Sequence, residues 1–518
     1  MTPGSKVASV AFLVTLYYLF SRRSRSRLPP GPLGLPIFGS VFQFDSVQPW
    51  LSFAKWKQLY GSLVYVNFAG QPVIILNSKK AVEDLLVRRA SKYSDRGQFL
   101  VASEYLTRHL HLVLLQRNER WRKMRRAGES ALGVRSSSHY HGMQTNETVL
   151  LAYDILNKPD NWTYHVQRSA ASAILSLVYA IPSIQSPEDP TFAFMDDFLT
   201  RSTAALLHVI DAFPILDKLP GFIARWRHNA GKDFQRFTGV FEEMYLRIKN
   251  KFVDGMEQRS SFCAILAETQ DRHAMSDRES AWLAGVLYAA GQETTASTIH
   301  WFLFSMLLYP EIQQRAQEEL DKVVGRSRLP SFNDLTHLPY IQAILRETLR
   351  LRPPLPVGVP HAVSEDDYYD GYLIPKGAIV FANVRSLNRD TEIYGSNAEE
   401  FRPERHLAED GNLIDPKDDG HFTYGFGARI CVGRHVANNF LFIALANILW
   451  AMRIESLKDS AGNPILPDPN VEVTTDGVLI RPAPFSFKAT ARFEDADTLV
   501  QQARDEIMRE LAALPKEG

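Results

Sequence analysis

One sulfur and the residues around it carry the strongest chemical signal in this chain. Cys431 lies in Gly425-Phe426-Gly427-Ala428-Arg429-Ile430-Cys431-Val432-Gly433, and an apolar run from Phe440 to Trp450 follows at once. Glycines at this density let backbone N–H groups come close to a neighbouring atom. A cysteine at a helix start sits at the positive end of the dipole, which lowers its pKa and favours the thiolate. A thiolate held there is a metal ligand or a nucleophile. Arg429, two residues away, adds a fixed positive charge suited to the edge of an anionic cofactor. Most lone cysteines are buried and inert; the spacing of glycine and arginine sets this one apart.

Three further groups could do chemistry or support it. The first is Ala290-Gly291-Gln292-Glu293-Thr294-Thr295, inside an apolar helical pattern from about Asp277 to Tyr309 that Pro310 stops. Ser276 and Glu279 fit a capping box at its start. The pattern is apolar nearly all round, which predicts a helix buried through the middle of a domain. An acid and an alcohol there are costly unless they have work or partners, and glycine beside hydroxyl residues predicts a kink. The second is Trp121-Arg122-Lys123-Met124-Arg125-Arg126, where Trp121 and Arg125, four apart, share one helical face. The third is Glu347-x-x-Arg350, selected among several acid-x-x-arginine matches because it ends an amphipathic helix and precedes Arg352-Pro353-Pro354-Leu355-Pro356.

The elements that must position these residues read as mainly α with small β-sheets, an α+β chain. Short strands at 64–68 and 72–76, split by Ala69-Gly70-Gln71, predict a hairpin. Helical patterns fill most of 150–350, and short strands are expected after about 353. The 518 residues are 45% apolar with zero formal net charge, enough for a large core and without the basic excess of a nucleic-acid binder. Two cysteines, Cys263 and Cys431, exclude a disulfide framework and a multi-cysteine zinc or iron–sulfur site.

At the N-terminus, Val7 to Phe20 is almost wholly apolar; only Lys6 precedes it, while Arg22, Arg23, Arg25 and Arg27 follow. That charge order predicts an anchor, residues 1–21, with the body of the protein in the cytosol. A basic, proline-rich hinge, 22–36, containing Leu28-Pro29-Pro30-Gly31-Pro32, would space it from a domain over 37–492. A charged amphipathic tail, 493–518, ends the chain.

The cysteine segment resembles the haem-binding signature of the cytochrome P450 family, F-x-x-G-x-R-x-C-x-G. Gly427, Arg429, Cys431 and Gly433 fall on its fixed positions; Tyr424 stands where Phe is usual and Val432 where Pro is common. The resemblance implies a P450 fold and makes Cys431 the axial thiolate of a b-type haem (iron protoporphyrin IX), cradled by Gly425, Gly427 and Gly433. Residues 290–294 resemble the family's [AG]-G-x-[DE]-T motif. It implies that Gly291 opens a groove for O2, Thr294 steadies the bound oxygen and Glu293 feeds protons through water. Trp121, Arg125, His361 and Arg429 would hold the haem propionates. Glu347, Arg350 and Arg405 would form a structural triad, with His406 replacing the usual Phe of the P-E-R-F segment. Arg385 stands where Trp is common. Arg122, Lys123 and Arg126 are candidates for docking an acidic electron-transfer partner.

The order of these motifs, the anchor and the hinge resemble the microsomal branch, and segments such as Pro360-His361-Ala362 resemble fungal secondary-metabolism members. The implied function is a monooxygenase of the endoplasmic reticulum membrane, single-pass, acting on a lipophilic terpenoid, polyketide or aromatic. O2 and electrons from NADPH through a separate flavoprotein reductase would drive it. The pocket is expected from the loop before Trp121, the helix around Leu287 and Ala290, the segment Leu355 to Val359, and a turn at Asp476 to Val478. A haem-thiolate isomerase or dehydratase, which the Glu293–Thr294 pair argues against, and a non-catalytic haem- or lipophile-binding protein are the alternatives.

Overall fold

The computed structural model describes residues 27–513 apart from 185, 187–188, 207, 213, 256–259 and 476–478. The anchor expected at 1–21 and the pocket turn expected at 476–478 lie outside the described residues. Among the described residues, no helix is long and apolar enough to cross a membrane.

The chain is mainly helical with small sheets, as its patterning predicts. Its long helices are α1 (Pro49–Tyr60), α2 (Glu119–Leu132), α3 (His141–Asn157), α4 (Trp162–Tyr179), α5 (Pro190–Leu206), α6 (Arg225–Val253), α7 (Asp277–Leu308), α8 (Pro310–Val323), α9 (Pro339–Leu351), α10 (Arg434–Ala451) and α11 (Ala496–Ala513). The strands are β1 (Leu63–Phe68), β2 (Gln71–Leu76), β3 (His361–Ala362), β4 (Asp367–Tyr369), β5 (Tyr372–Ile374), β6 (Ile379–Ala382), β7 (Met452–Lys458), β8 (Pro464–Ile465), β9 (Glu472–Thr475), β10 (Leu479–Pro482) and β11 (Phe487–Ala491). The hairpin β1–β2 joins β6 and β3 in a sheet ordered β1-β2-β6-β3, with β2 and β6 parallel. The pair β9–β10 forms a separate antiparallel hairpin, and β11, β7 and β8 a third sheet.

The proline-rich stretch lies along β1: Tyr65 N–H donates to Pro30 O at 2.9 Å, and Gly31 sits so close to Tyr65 O that a Cβ would fall 1.8 Å from it.

Helix α7 starts where the sequence predicts, with Ser276 and Glu279 closing a capping box. It then runs through two apolar clusters. Ala281–Ala289 belong to one, with α6, α2 and the end of α4. Ala296–Leu307 belong to the other, with α3, α8, α9 and α10. Residues 290–295 fall at the junction. The helix is unbroken through them, and its threonines bond back to it: Thr294 Oγ1 donates to Ala290 O at 2.8 Å and Thr298 Oγ1 to Thr294 O at 2.9 Å. Gly291 faces Ile174 of α4, where a Cβ would come within 2.9 Å of the Ile174 Cδ1. Its missing side chain therefore lets a neighbouring helix come close.

The charged tail contains α11, which is docked. Val500 is fully buried, Ile507 packs with Val149 and Leu150 of α3, and Arg504 lies over the Tyr153 ring at 4.7 Å. Arg492, just before it, donates to Trp450 O at 2.9 Å and pairs with Asp321 at 2.6 Å.

Candidate active site

Cys431 sits three residues before α10, in a turn closed by its own N–H donating to Tyr424 O at 2.8 Å. The turn is tight enough to need glycine. Gly427 has φ +54°, and a Cβ there would lie 2.2 Å from Leu86 O. The Gly433 N–H points at the sulfur, and Arg125 and Arg434 add positive potential. These lower the thiol pKa as the sequence predicts, yet enclosure by the surrounding protein outweighs them and pushes it up. The residue is nonetheless exposed. It therefore faces open space inside a shell of protein.

The same interior is reached by one face of α7. Ala290 is exposed and Leu287, Gly291 and Thr294 are half-buried, in a helix whose other positions are almost all buried. Spacings of three and four put these four on one stripe. Leu287 shares an apolar cluster with Ala428 and Val432, which flank Cys431. The loop and the stripe thus meet across one interior, with Leu355, Val357 and Val359 half-buried as well.

Glu293 points elsewhere. It is buried and ion-paired with Arg481 of β10. Thr294 and Glu293 are neighbours in sequence but sit about 100° apart around the helix.

Beside the cysteine turn the structure gathers cations. Arg125 donates to Ile430 O and to Glu129, both at 2.6 Å, so α2 clasps the loop that carries the sulfur. Arg429 stacks on Trp121, 4.4 Å from the ring centroid, and donates to Ser94 O at 2.8 Å and Leu115 O at 2.5 Å. Its Nη1 is buried without a hydrogen-bond partner. Burial and the charges of Arg125 and Arg117 push its pKa down to about 9, with Asp95 opposing. Sequence reasoning missed Arg96. It is buried, bonds the carbonyls of Val113, Val359 and Pro360, and is held well below the arginine range by burial and by Arg429. No spacing pattern marks it, because its partners come from distant segments. His361 Nδ1 lies 2.7 Å from Tyr93 O, so this nitrogen carries the proton. Burial, Arg96 and Arg429 keep the ring neutral, well below its ordinary pKa. His361 therefore spends its Nδ1–H on the chain itself.

Behind the cysteine turn, Glu347 and Arg350 are both fully buried and 2.7 Å apart, and Arg405 Nε reaches Glu347 Oε1 at 2.9 Å. Arg350 also donates to Ala398 O at 2.8 Å and Arg405 to Tyr394 O at 2.8 Å, so the triad ties α9 to the loops after β6. Arg385 pairs with Glu472 of β9 at 3.5 Å, beside Arg352 at 2.7 Å. Within the basic run of α2, Lys123 is turned onto Glu279 at 2.7 Å, while Arg122 and Arg126 stay exposed near Glu119.

This arrangement has relatives. The family model for cytochrome P450 matches residues 29–489. The chain belongs to the cytochrome P450 family. A cytochrome P450 monooxygenase of Armillaria gallica is 46% identical over 503 residues, covering 95% of this chain and 96% of its own. Monooxygenase 58 of Postia placenta is 43% identical over 484 residues, 92% and 91% of the two chains. Monooxygenase iboC of Amanita muscaria is 36% identical, 94% and 95%. As a P450 this chain is an oxidoreductase that places one oxygen atom of O2 in a small molecule, served by a redox partner, with haem as cofactor.

The residues present suit that cofactor. One exposed sulfur ends a glycine turn, and buried arginines with a spare N–H suit a dicarboxylate edge. An apolar stripe on α7 suits the face of a flat ring.

Proposed function

We propose that this P450 oxidises a lipophilic small molecule, a terpenoid, polyketide or aromatic, in fungal secondary metabolism, with electrons from NADPH delivered by a separate flavoprotein reductase. The observation that carries the reading is the meeting of the Cys431 turn and the Leu287–Thr294 stripe across one interior. In this reading Cys431 is the axial thiolate of haem b, and the haem supplies the electron transfer and oxygen activation. Arg429, Arg125, Arg96 and Trp121 hold its anionic edge. The Thr294 hydroxyl would offer a hydrogen bond on the oxygen side of the site, and Glu293 would supply protons there. The alternating Gly425, Gly427 and Gly433 let the backbone approach the sulfur.

The lipophilic substrate class rests on Leu287, Ala290, Leu355 and Val359, which offer hydrocarbon and methyl surface. The membrane reading rests on the apolar 7–20 segment with its trailing arginines. Exposed Leu35 at the end of the hinge, with Ile37 and Phe42 just beyond it, adds an apolar surface of the kind that lies on lipid. In this reading the body lies on the cytosolic side of the endoplasmic reticulum.

The test is the absorption spectrum of the reduced, carbon-monoxide-bound protein beside Cys431→Ala. A Soret band strongly red-shifted from that of histidine-ligated haem, lost in the variant, supports the reading. A band indifferent to Cys431 ends it.

A further inference from the structure

The β9–β10 hairpin is stitched to α7 at three points close to the acid. Ser297 Oγ donates to Ile480 O at 2.7 Å and Trp301 Nε1 to the same oxygen at 3.3 Å. Ile480 N–H donates to Pro354 O at 3.0 Å, which fixes the strand from its other side. The next residue is Arg481, so its backbone is held one helical turn from Glu293. Its Nη2 bonds the Glu293 carboxylate, and its Nε is buried with no hydrogen-bond partner. Both side chains are mostly buried, at 14% and 9% exposure, which keeps water from replacing either partner.

We infer that Arg481 is a positioning residue: it holds Glu293 ionised and turned onto the hairpin, away from the Thr294 stripe, so that Glu293 carries a proton only when this pair opens. The inference rests on the reading of Glu293 as the proton carrier. Burial without a full set of acceptors works against the Arg481 charge. Asp196 of α5 supports the Arg481 charge. With Glu293 swung away, Arg481 loses the carboxylate that its Nη2 bonds. The pair therefore closes again once a proton has passed, and Glu293 is returned as the carboxylate. The step is a proton relay: Glu293 takes a proton from water and gives it up toward Thr294, with no net change in the residue.

Infrared difference spectra at neutral pH test this on the haem-loaded protein, using Glu293→Gln to identify the Glu293 bands. The wild type is expected to show a carboxylate and no protonated-acid C=O band at Glu293. Arg481→Gln is expected to gain that acid band, because a buried carboxyl without a cation takes up a proton. The band should be absent from Arg481→Gln combined with Glu293→Gln, and Arg481→Lys should restore the carboxylate. An acid band in the wild type overturns the proposal without needing any Arg481 variant to fold. So does an unchanged carboxylate in Arg481→Gln. Peroxide released per NADPH consumed, with a flavoprotein reductase present, separates the two layers. If Glu293→Gln leaves it unchanged, Glu293 is not the proton carrier and both readings fall. If Glu293→Gln raises it several-fold and Arg481→Gln does not, only the role of Arg481 fails.

Discussion

His406 Nε2 donates to Glu347 Oε2 at 2.9 Å, on the same oxygen that receives Arg350 Nε at 2.7 Å. Where the family resemblance sets a phenylalanine, this chain adds a fourth member to the triad. The Glu347 carboxylate then accepts from Arg350, Arg405, His406 and the Arg402 N–H, all inside the protein. Burial alone would raise its pKa; the bonds from Arg350 and His406 overcome that and hold it at about 2. His406→Phe removes one of several donors and is expected to lower stability by about 1–2 kcal/mol. Glu347→Ala strands two buried arginines and is expected to lower it by about 3–5 kcal/mol. Thermal midpoints of the two variants check the ranking; equal losses would contradict the geometry.

The same pair sets a direction with pH. Burial outweighs Glu347 at His406, so its folded pKa lies below its ordinary value. The unfolded chain therefore binds a proton first as pH falls through about 6.5, and stability drops from there. Glu347 is depressed too, and its contribution is lost only between its unfolded value and about 2. His406→Phe should therefore flatten the fall in thermal midpoint between pH 7 and 5 while leaving the steeper loss below pH 4. A wild-type slope in the variant would show that His406 takes no part.

Two glycines of α7 should answer oppositely to alanine. At Gly285 a Cβ would meet the Phe241 ring at 2.6 Å, and that ring is fully buried against Phe198 and Trp282. Overpacking of about 1–3 kcal/mol exceeds the roughly 1 kcal/mol gained in helix propensity. Gly285→Ala is expected to destabilise. At Gly291 the obstacle is the end of Ile174, a side chain able to swing aside, so Gly291→Ala is expected within about 0.5 kcal/mol of wild type. Thermal melts of both variants test the contrast.

Arg429→Leu removes the buried N–H donor suited to the haem edge. A charged hydrogen bond of about 1.5–3 kcal/mol corresponds to haem affinity about 10- to 100-fold weaker. Transfer of haem to an excess of apomyoglobin measures it, and Arg429→Lys should fall between. Wild-type retention in Arg429→Leu would remove this residue from the haem site.

Helix α11 lies beyond the family match yet seals α3. Ile507→Ala leaves a gap against Val149 and Leu150 and is expected to cost about 2 kcal/mol. Deletion of 496–518 exposes that apolar surface and should lower the thermal midpoint further. Unchanged melting after deletion would mark the helix as passive.

Local patterns determined a good part of this protein. The capping box and Pro310 bounded α7, two short apolar runs split by Ala69-Gly70-Gln71 marked the β1–β2 hairpin, and the fixed spacing around Cys431 led to the family. Each signal is carried by residues within a few positions of one another, where backbone geometry alone relates them. Tertiary structure decided the rest. Nothing local marks Arg96, whose partners lie 17 and more residues away, or Arg481, 188 residues from Glu293. Ile174 of α4 closes on the Gly291 face of α7, a contact no local pattern announces. The Nδ1–H of His361 is taken by Tyr93 O, and enclosure outweighed the helix dipole at Cys431. These outcomes depend on which distant group desolvates or neutralises a side chain, and only the folded chain brings those groups together.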